Sequence, residues 1–355
     1  MCDPFESLFT PLGTNFTFIK VVCVYRAMCQ RAVCTTCGLA TWEGCGEHKS
    51  DVLEGVVDEE RCAGWRTGIC LASVTHHPAP AADGVSNLEQ HEAQQKEIAD
   101  LQNSLPMIGP VESCSTLVPL YESNPQTGFV EGIAYLARTF AGMRKIRGDG
   151  NCFYRAFLFS YLGNILVGLR SGDASRASQT KAELQRLKDV FSSSRADLVA
   201  VGYQEFAFET FYDVIMELLD NVEGWSSSGG LEELLSAFQE ESGESDYYVW
   251  YMRLMTACAL KKDAGRFEPF IPDASCASID EFCARCVEPM KSECEHLQIM
   301  ALTEYLGVQV HIHMLDGKPC PEGESLVVHK FQEELGGGIC VQLLYRPGHY
   351  DQLIF

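Results

Sequence analysis

The sequence predicts an α+β fold: a helical lobe packed on a small, mostly antiparallel sheet. Two observations predict it. Helical periodicity dominates from Asn87 to Leu306, and from Val308 onward the pattern switches to strict alternation. A run of helices followed by a run of strands describes layers segregated to the two sides of one core. The chain has 355 residues, 46% of them hydrophobic, which is enough to bury such a core.

The elements follow in chain order. Residues 1–86 form a cysteine-rich extension and linker expected to be poorly ordered. Eight of the 17 cysteines lie before residue 75, and residues 76–86 carry the Pro and Gly punctuation of a linker. Residues 87–355 form the main domain. Asn87–Leu105 reads as a polar helix with only Ile98, Leu101 and Leu105 as an apolar stripe, too thin to anchor it alone. Pro106–Gln126 reads as loop with short pieces, and Val130–Met143 as a helix. Cys152–Val167 is a strongly apolar helix containing Phe153, Phe157, Leu162 and Leu166. Further helices are predicted at Ser175–Ser193, Gln204–Val222, Leu231–Gln239, Asp246–Leu260, Ser278–Cys286 and Glu295–Leu306. Val308–Met314 alternates as a half-buried strand does, and Ser325–Phe331, Ile339–Tyr345 and His349–Phe355 complete the strands.

Composition narrows the function. The net charge is −22, which argues against nucleic acid or an anionic membrane as partner. Residues 1–85 hold 10 acidic and 6 basic residues, so −18 belongs to the main body. No run reads as a membrane span, and no basic leader precedes an apolar stretch at the start. With an odd number of cysteines, these features predict free thiols in the cytoplasm, with the nucleus as a second compartment.

The chemistry is concentrated in two short motifs. Gly148-Asp149-Gly150-Asn151-Cys152 puts a cysteine where a glycine-flanked loop turns into an apolar helix. Helix starts present outward N–H groups and favour negative charge, and the thiolate is the nucleophilic form. Arg346-Pro347-Gly348-His349-Tyr350-Asp351 places His349 and Asp351 two residues apart, on the same face of a strand. Either motif alone is most often a turn or ordinary packing. Together they describe a nucleophile, a base and an orienting acid. Gly150 and Asn151 are the loop candidates for oxyanion donors, an effect worth roughly 3–4 kcal/mol per donor. Asp149 is expected to hold the loop's shape.

These motifs resemble those of the ovarian-tumour (OTU) cysteine proteases of papain-like fold, specifically the otubain branch. Gly148–Phe157 is similar to that family's nucleophile motif and Leu343–Asp351 to its histidine strand. Ser245-Asp246-Tyr247, Phe267–Ile271 and Val287-Glu288-Pro289-Met290 are similar in the same order, as are Glu92–Ile98 and Pro119-Leu120-Tyr121 upstream. The resemblance implies a deubiquitinase that cuts isopeptide bonds in polyubiquitin without metal or organic cofactor, acting as a monomer. It implies Cys152 as nucleophile, His349 as general base, and Asp351 and Asp149 as the acidic residues of the motifs. It also puts His296 near the site. Residues 87–105 match the family's amino-terminal arm, which folds on the ubiquitin partner. A different role remains open: a non-catalytic regulator that binds ubiquitin and ubiquitin-conjugating enzymes. A third is another acyl-transfer enzyme on the same scaffold.

Cys34-x2-Cys37-x7-Cys45-x2-His48 carries the ligand types of a small zinc site, with a shorter gap between the pairs than in common zinc modules. An unstructured extension is the competing reading.

Overall fold

The computed structural model describes residues 30–34, 39–43, 53, 56, 57, 60–62 and 105–355, except 240, 241, 273–275, 322 and 337. The chain divides into two compact units, Met1–Ser86 and Asn87–Phe355. In the first, β1 (Gln30–Val33) and β2 (Ala40–Glu43) pair antiparallel, and Ala40 also bridges to Arg61.

The second unit is built on a six-stranded sheet. Its strands are β3 (Ile108–Glu112), β4 (Gly142–Ile146), β5 (Gln309–Met314), β6 (Val328–Phe331), β7 (Cys340–Arg346) and β8 (His349–Ile354). Their spatial order is β3-β4-β8-β7-β5-β6. Every neighbouring pair is antiparallel except β5 and β7, which run parallel. The helices are α1 (Gly128–Thr139), α2 (Cys152–Leu169), α3 (Ala174–Ala200), α4 (Glu205–Trp225), α5 (Leu231–Ala237), α6 (Ser245–Lys262) and α7 (His296–Leu306).

Alternation along the strands feeds two cores. On one face, Leu343 and Val310 meet α2, whose Phe157, Leu162 and Ile165 are wrapped by Leu187 of α3, Leu219 of α4 and Met252 of α6. On the other face, Leu344 and Leu353 pack with Leu136 of α1 and Met143. Each such side chain contributes roughly 1.5–3 kcal/mol of burial. Apolar on all sides, α2 is long and apolar enough to cross a membrane, contrary to the reading that no run is. Here it is the core helix, buried along its length.

The short pieces within residues 106–126 are β3 at 108–112 and a helical turn at Val118–Tyr121. Gly109 and Pro110 hid the strand, and both are tolerated because β3 is an edge strand with irregular register between Ile108 and Val111. The helix predicted to reach Met143 ends at Thr139, where Phe140 turns extended (ψ 142°), and Gly142–Ile146 becomes β4. The helix predicted over Ser278–Cys286 is one turn at Ile279–Phe282 followed by a wider π turn at Cys283–Val287. In contrast, α3 runs on past Ser193 to Ala200. Neither Gly nor Pro intervenes before Gly202, whose φ of +101° ends it. The expected polar helix of the arm falls outside the described residues, apart from Leu105.

Candidate active site

The topology brings the two motifs together. β4 delivers the chain into residues 147–151, and Cys152 begins α2. β8 lies between β4 and β7, so His349 at its first position arrives beside that loop. Pro347-Gly348 makes a two-residue turn between β7 and β8, with Gly348 at φ +71°.

His349 is linked on both sides. Its Nε2 lies 2.9 Å from Oδ1 of Asp351, and Cys152 stands close enough on its other side to help hold its proton. Burial alone would pull the imidazole down. The hydrogen bonds and charges of Asp351 and Cys152 override it and push His349 up to about 9. The proton is thereby held on the imidazole beside the sulfur.

Asp351 is fully buried. Burial opposes its charge, but His349, Arg346 and the Ile146 amide together hold its carboxyl below the usual range. Oδ1 accepts from the Ile146 N–H at 3.0 Å, and Oδ2 takes Nε and Nη2 of Arg346, each at 2.8 Å.

The loop before Cys152 is braced by two buried arginines. Asp149 Oδ1 accepts the Asn151 N–H at 2.9 Å, closing the loop on itself, and both its oxygens lie 2.9 Å from Arg155 Nη1. Arg155 goes on to Ser245 Oγ and Asp246 at the start of α6. Arg253 of α6 donates to Gly150 O (3.0 Å), Asn151 Oδ1 (2.8 Å), Ser292 O (2.7 Å) and Val287 O (2.9 Å). Its guanidinium also stacks 4.7 Å over the Tyr154 ring. Asn151 therefore acts as a brace: its N–H is taken by Asp149, and its carboxamide ties Arg253 to Lys291 N (3.0 Å). That removes its amide from the oxyanion donors and leaves the loop amides of Gly150 and Cys152.

Residues 290–295 join the two halves. Lys291 meets Asn151, and Cys294 O accepts from Tyr350 OH at 3.3 Å. A cavity of about 290 Å³ opens here, lined by Cys152, Glu293, Cys294, His296, Phe331 and Tyr350 among others. His296, first in α7, leans against Phe331 with the rings tilted by 46° and centroids 4.9 Å apart, and lies 5.8 Å from His329. Burial and then His329 lower its imidazole, so it is a neutral wall of the cavity. Its place is the cavity wall, beside the triad.

Burial pushes Cys114 up to about 11 and Cys258 and Cys283 up to about 12, which keeps them inert thiols. Of the zinc candidates, Cys34 donates its N–H to Leu39 O at the hairpin end, and Cys37, Cys45 and His48 lie outside the described residues. Among the described residues no group of three or more His, Cys, Asp or Glu is placed to hold a metal.

Sequence reading passed over Arg155, Arg253 and Arg346 as working residues. The first two sit inside apolar helical runs, and a charge there needs a buried partner. That was the available signal.

Comparison with known proteins fits this geometry. The family model "Peptidase C65 Otubain" matches residues 100–354. A model for a domain of unknown function matches residues 28–70. The OVARIAN TUMOR DOMAIN-containing deubiquitinating enzyme 1 of Arabidopsis thaliana is 36% identical over 76% of this chain and 86% of its own length. Human ubiquitin thioesterase OTUB1 is 38% identical over 75% and 88%. A solved h/ceOTUB1–ubiquitin aldehyde–UBC13~Ub complex superposes with a TM-score of 0.62, at 26% identity, covering 76% of this chain and 98% of that one. A second complex holds h/ceOTUB1 with ubiquitin aldehyde and UBCH5B~Ub, with a TM-score of 0.60 at 26% identity over 75% and 98%. The chain belongs to the otubain family of cysteine peptidases.

Proposed function

We propose that this chain is a deubiquitinase that hydrolyses isopeptide bonds through Cys152, His349 and Asp351. The observation that carries the assignment of roles is the placement of His349 between Cys152, which helps hold its proton, and Asp351, which bonds its Nε2. The Cys152 thiolate attacks the carbonyl carbon of ubiquitin's terminal glycine. The amides of Gly150 and Cys152 receive the oxyanion. The imidazolium of His349 gives its proton to the departing lysine amine, leaving a thioester. Neutral His349 then takes a proton from water, the hydroxide attacks the thioester, and the thiolate returns. Asp351 holds the ring with Nε2 toward itself, which turns Nδ1 to the sulfur. Ubiquitin bearing a carboxyl-terminal electrophile is expected to label the wild type, and Cys152→Ala is expected to abolish labelling. Equal labelling of both would overturn the assignment.

A second role, binding of a ubiquitin-conjugating enzyme, has its own support. α4 and α6 expose an aromatic group. Phe206 is 82% exposed, and Phe211 stands 4.5 Å from Trp250 and 5.5 Å from Tyr247, both of which face solvent. Exposed aromatics of this kind anchor protein partners. The solved relatives carry UBC13~Ub or UBCH5B~Ub. The Cys152→Ala protein is expected to slow chain synthesis in vitro, and adding Phe206→Asp is expected to remove that effect. No slowing by Cys152→Ala would exclude the role. The unpaired, buried thiols of Cys114, Cys258 and Cys283 suit work in a reducing intracellular compartment.

A further inference from the structure

Arg346 stands outside the reaction described above, yet it is the only side chain bonded to one whole oxygen of Asp351 among the described residues. Oδ1 of Asp351 is shared by His349 and the Ile146 amide. Oδ2 is held by the Arg346 fork through Nε and Nη2. The carboxylate is fully buried, and the Arg346 side chain is 16% exposed. On its other side the hydroxyl of Tyr121 stands close enough to help hold the charge of Arg346. Tyr121 is fixed in turn by stacking on Phe129 of α1, with ring centroids 4.4 Å apart and planes 12° from parallel. A guanidinium clamped between a phenol and a carboxylate has few ways to tilt.

We propose that Arg346, steadied by Tyr121, is a positioning residue that sets both the orientation of Asp351 and the pH window in which the Cys152–His349 pair works. The proposal rests on the deubiquitinase reading. The fork orients the carboxylate, and the carboxylate orients the imidazole. The charge of Arg346 does something separable. It keeps Asp351 ionised, and it offsets part of the pull of Asp351 on the proton of His349.

The groups that face this cluster come from every packed element. β8 supplies His349 and Asp351, β7 supplies Arg346, and β4 supplies the Ile146 amide. α2 brings Cys152, and Glu293 approaches Gly348 from the loop before α7. Cys114 and Tyr121 come from the segment after β3, and Cys114 is near enough to feel the charge of Asp351. Arg346 is the one permanent cation of this set. Removing its charge makes Asp351 easier to protonate, which moves the acid limb of activity to higher pH. It also leaves His349 holding its proton longer, which moves the alkaline limb to higher pH.

The test measures kcat and KM against pH for cleavage of a ubiquitin carboxyl-terminal fluorophore conjugate by the full chain. Arg346→Met is expected to shift both limbs upward and to lower kcat by roughly 10²-fold, with KM unchanged. Arg346→Lys keeps the charge and loses the fork, so both limbs are expected at wild-type pH with kcat still reduced. Tyr121→Phe leaves the charge in place, so it is expected to lower kcat severalfold without moving either limb. A merely structural role would lower kcat in all three without moving a limb. If Arg346→Met does not fold, equal limbs together with wild-type kcat in both Arg346→Lys and Tyr121→Phe overturn the proposal. Wild type that fails to cleave would remove the deubiquitinase reading itself. Wild type that cleaves while the Arg346→Met limbs stay in place removes only this inference.

Discussion

Gly150 and Lys291 meet backbone to backbone beside the nucleophile, and both have left-handed φ, +77° and +67°. A Cβ on Gly150 would lie 2.1 Å from the Lys291 carbonyl oxygen. The close approach lets Asn151 reach Lys291 N, and so couples the nucleophile loop to the residues before α7. Gly150→Ala cannot keep this contact. Strain at φ > 0 costs about 1–3 kcal/mol, and the steric overlap adds to it by forcing the two loops apart. The substitution is expected to lower kcat on ubiquitin substrates by roughly 10²-fold while the protein remains folded. Steady-state kinetics with a thermal melt checks both halves. Wild-type turnover from Gly150→Ala would mean the loops separate without moving Cys152.

Arg253 is the next joint. Four oxygens from two loops converge on its guanidinium, and none of the four belongs to a carboxylate. Arg253→Met keeps most of the apolar stem and strands those oxygens in a buried place. The loss of stability is expected to be on the order of 3 kcal/mol. Lys cannot span both loops with one ammonium, so Arg253→Lys is expected to recover less than half of it. Urea unfolding of the three proteins gives the comparison. Equal midpoints for wild type and Arg253→Met would show that the loops do not depend on this residue.

These joints explain what the sequence could and could not show. Cys152, His349 and Asp351 were legible because short-range rules place them: a loop-to-helix junction for one, strand alternation for the other two. The β5, β7 and β8 strands were legible for the same reason. β3 and β4 were not, because Gly109, Pro110 and Gly142 break local strand propensity and pairing with neighbours decides the outcome. The role of Asn151 was also hidden. Its partners Arg253 and Lys291 lie more than 100 residues away in sequence, and only the folded chain brings them to it.

The His349 proton makes stability depend on alkaline pH. Its folded value, about 9, lies above the ordinary value of roughly 6.5. The folded state therefore binds this proton more tightly than the unfolded state. The stabilisation is complete below about pH 6.5 and is lost as pH rises through about 9. Cys152→Ala removes the sulfur, one of the two partners that raise the imidazole. The variant is expected to show a lower imidazole titration by NMR and a flatter loss of stability between pH 7 and about pH 9. An unchanged titration would mean that Asp351 alone holds the proton.

The acid side belongs to a different histidine. His313 on β5 is 6% exposed, with Nε2 3.0 Å from Gln342 Oε1 and its ring edge-on to Phe140 at 4.9 Å. Burial lowers its imidazole first, Gln342 opposes this, and His311 adds to the lowering. The sign is opposite to that of His349. Stability is present above about pH 6.5 and is lost as pH falls through the depressed folded value. Buried carboxylates such as Asp351 also lose their contribution in acid, but only below roughly pH 4, where carboxylates titrate. The carboxylate window opens only at lower pH, so a fall in stability between about pH 6.5 and pH 5 reports histidine. His313→Gln keeps a hydrogen-bonding side chain on β5 and removes the titration. Its urea midpoint is expected to vary less than that of wild type across this window. Parallel curves for the two proteins would assign the acid loss to His296, His311 or His329 instead, all of which are also lowered by burial.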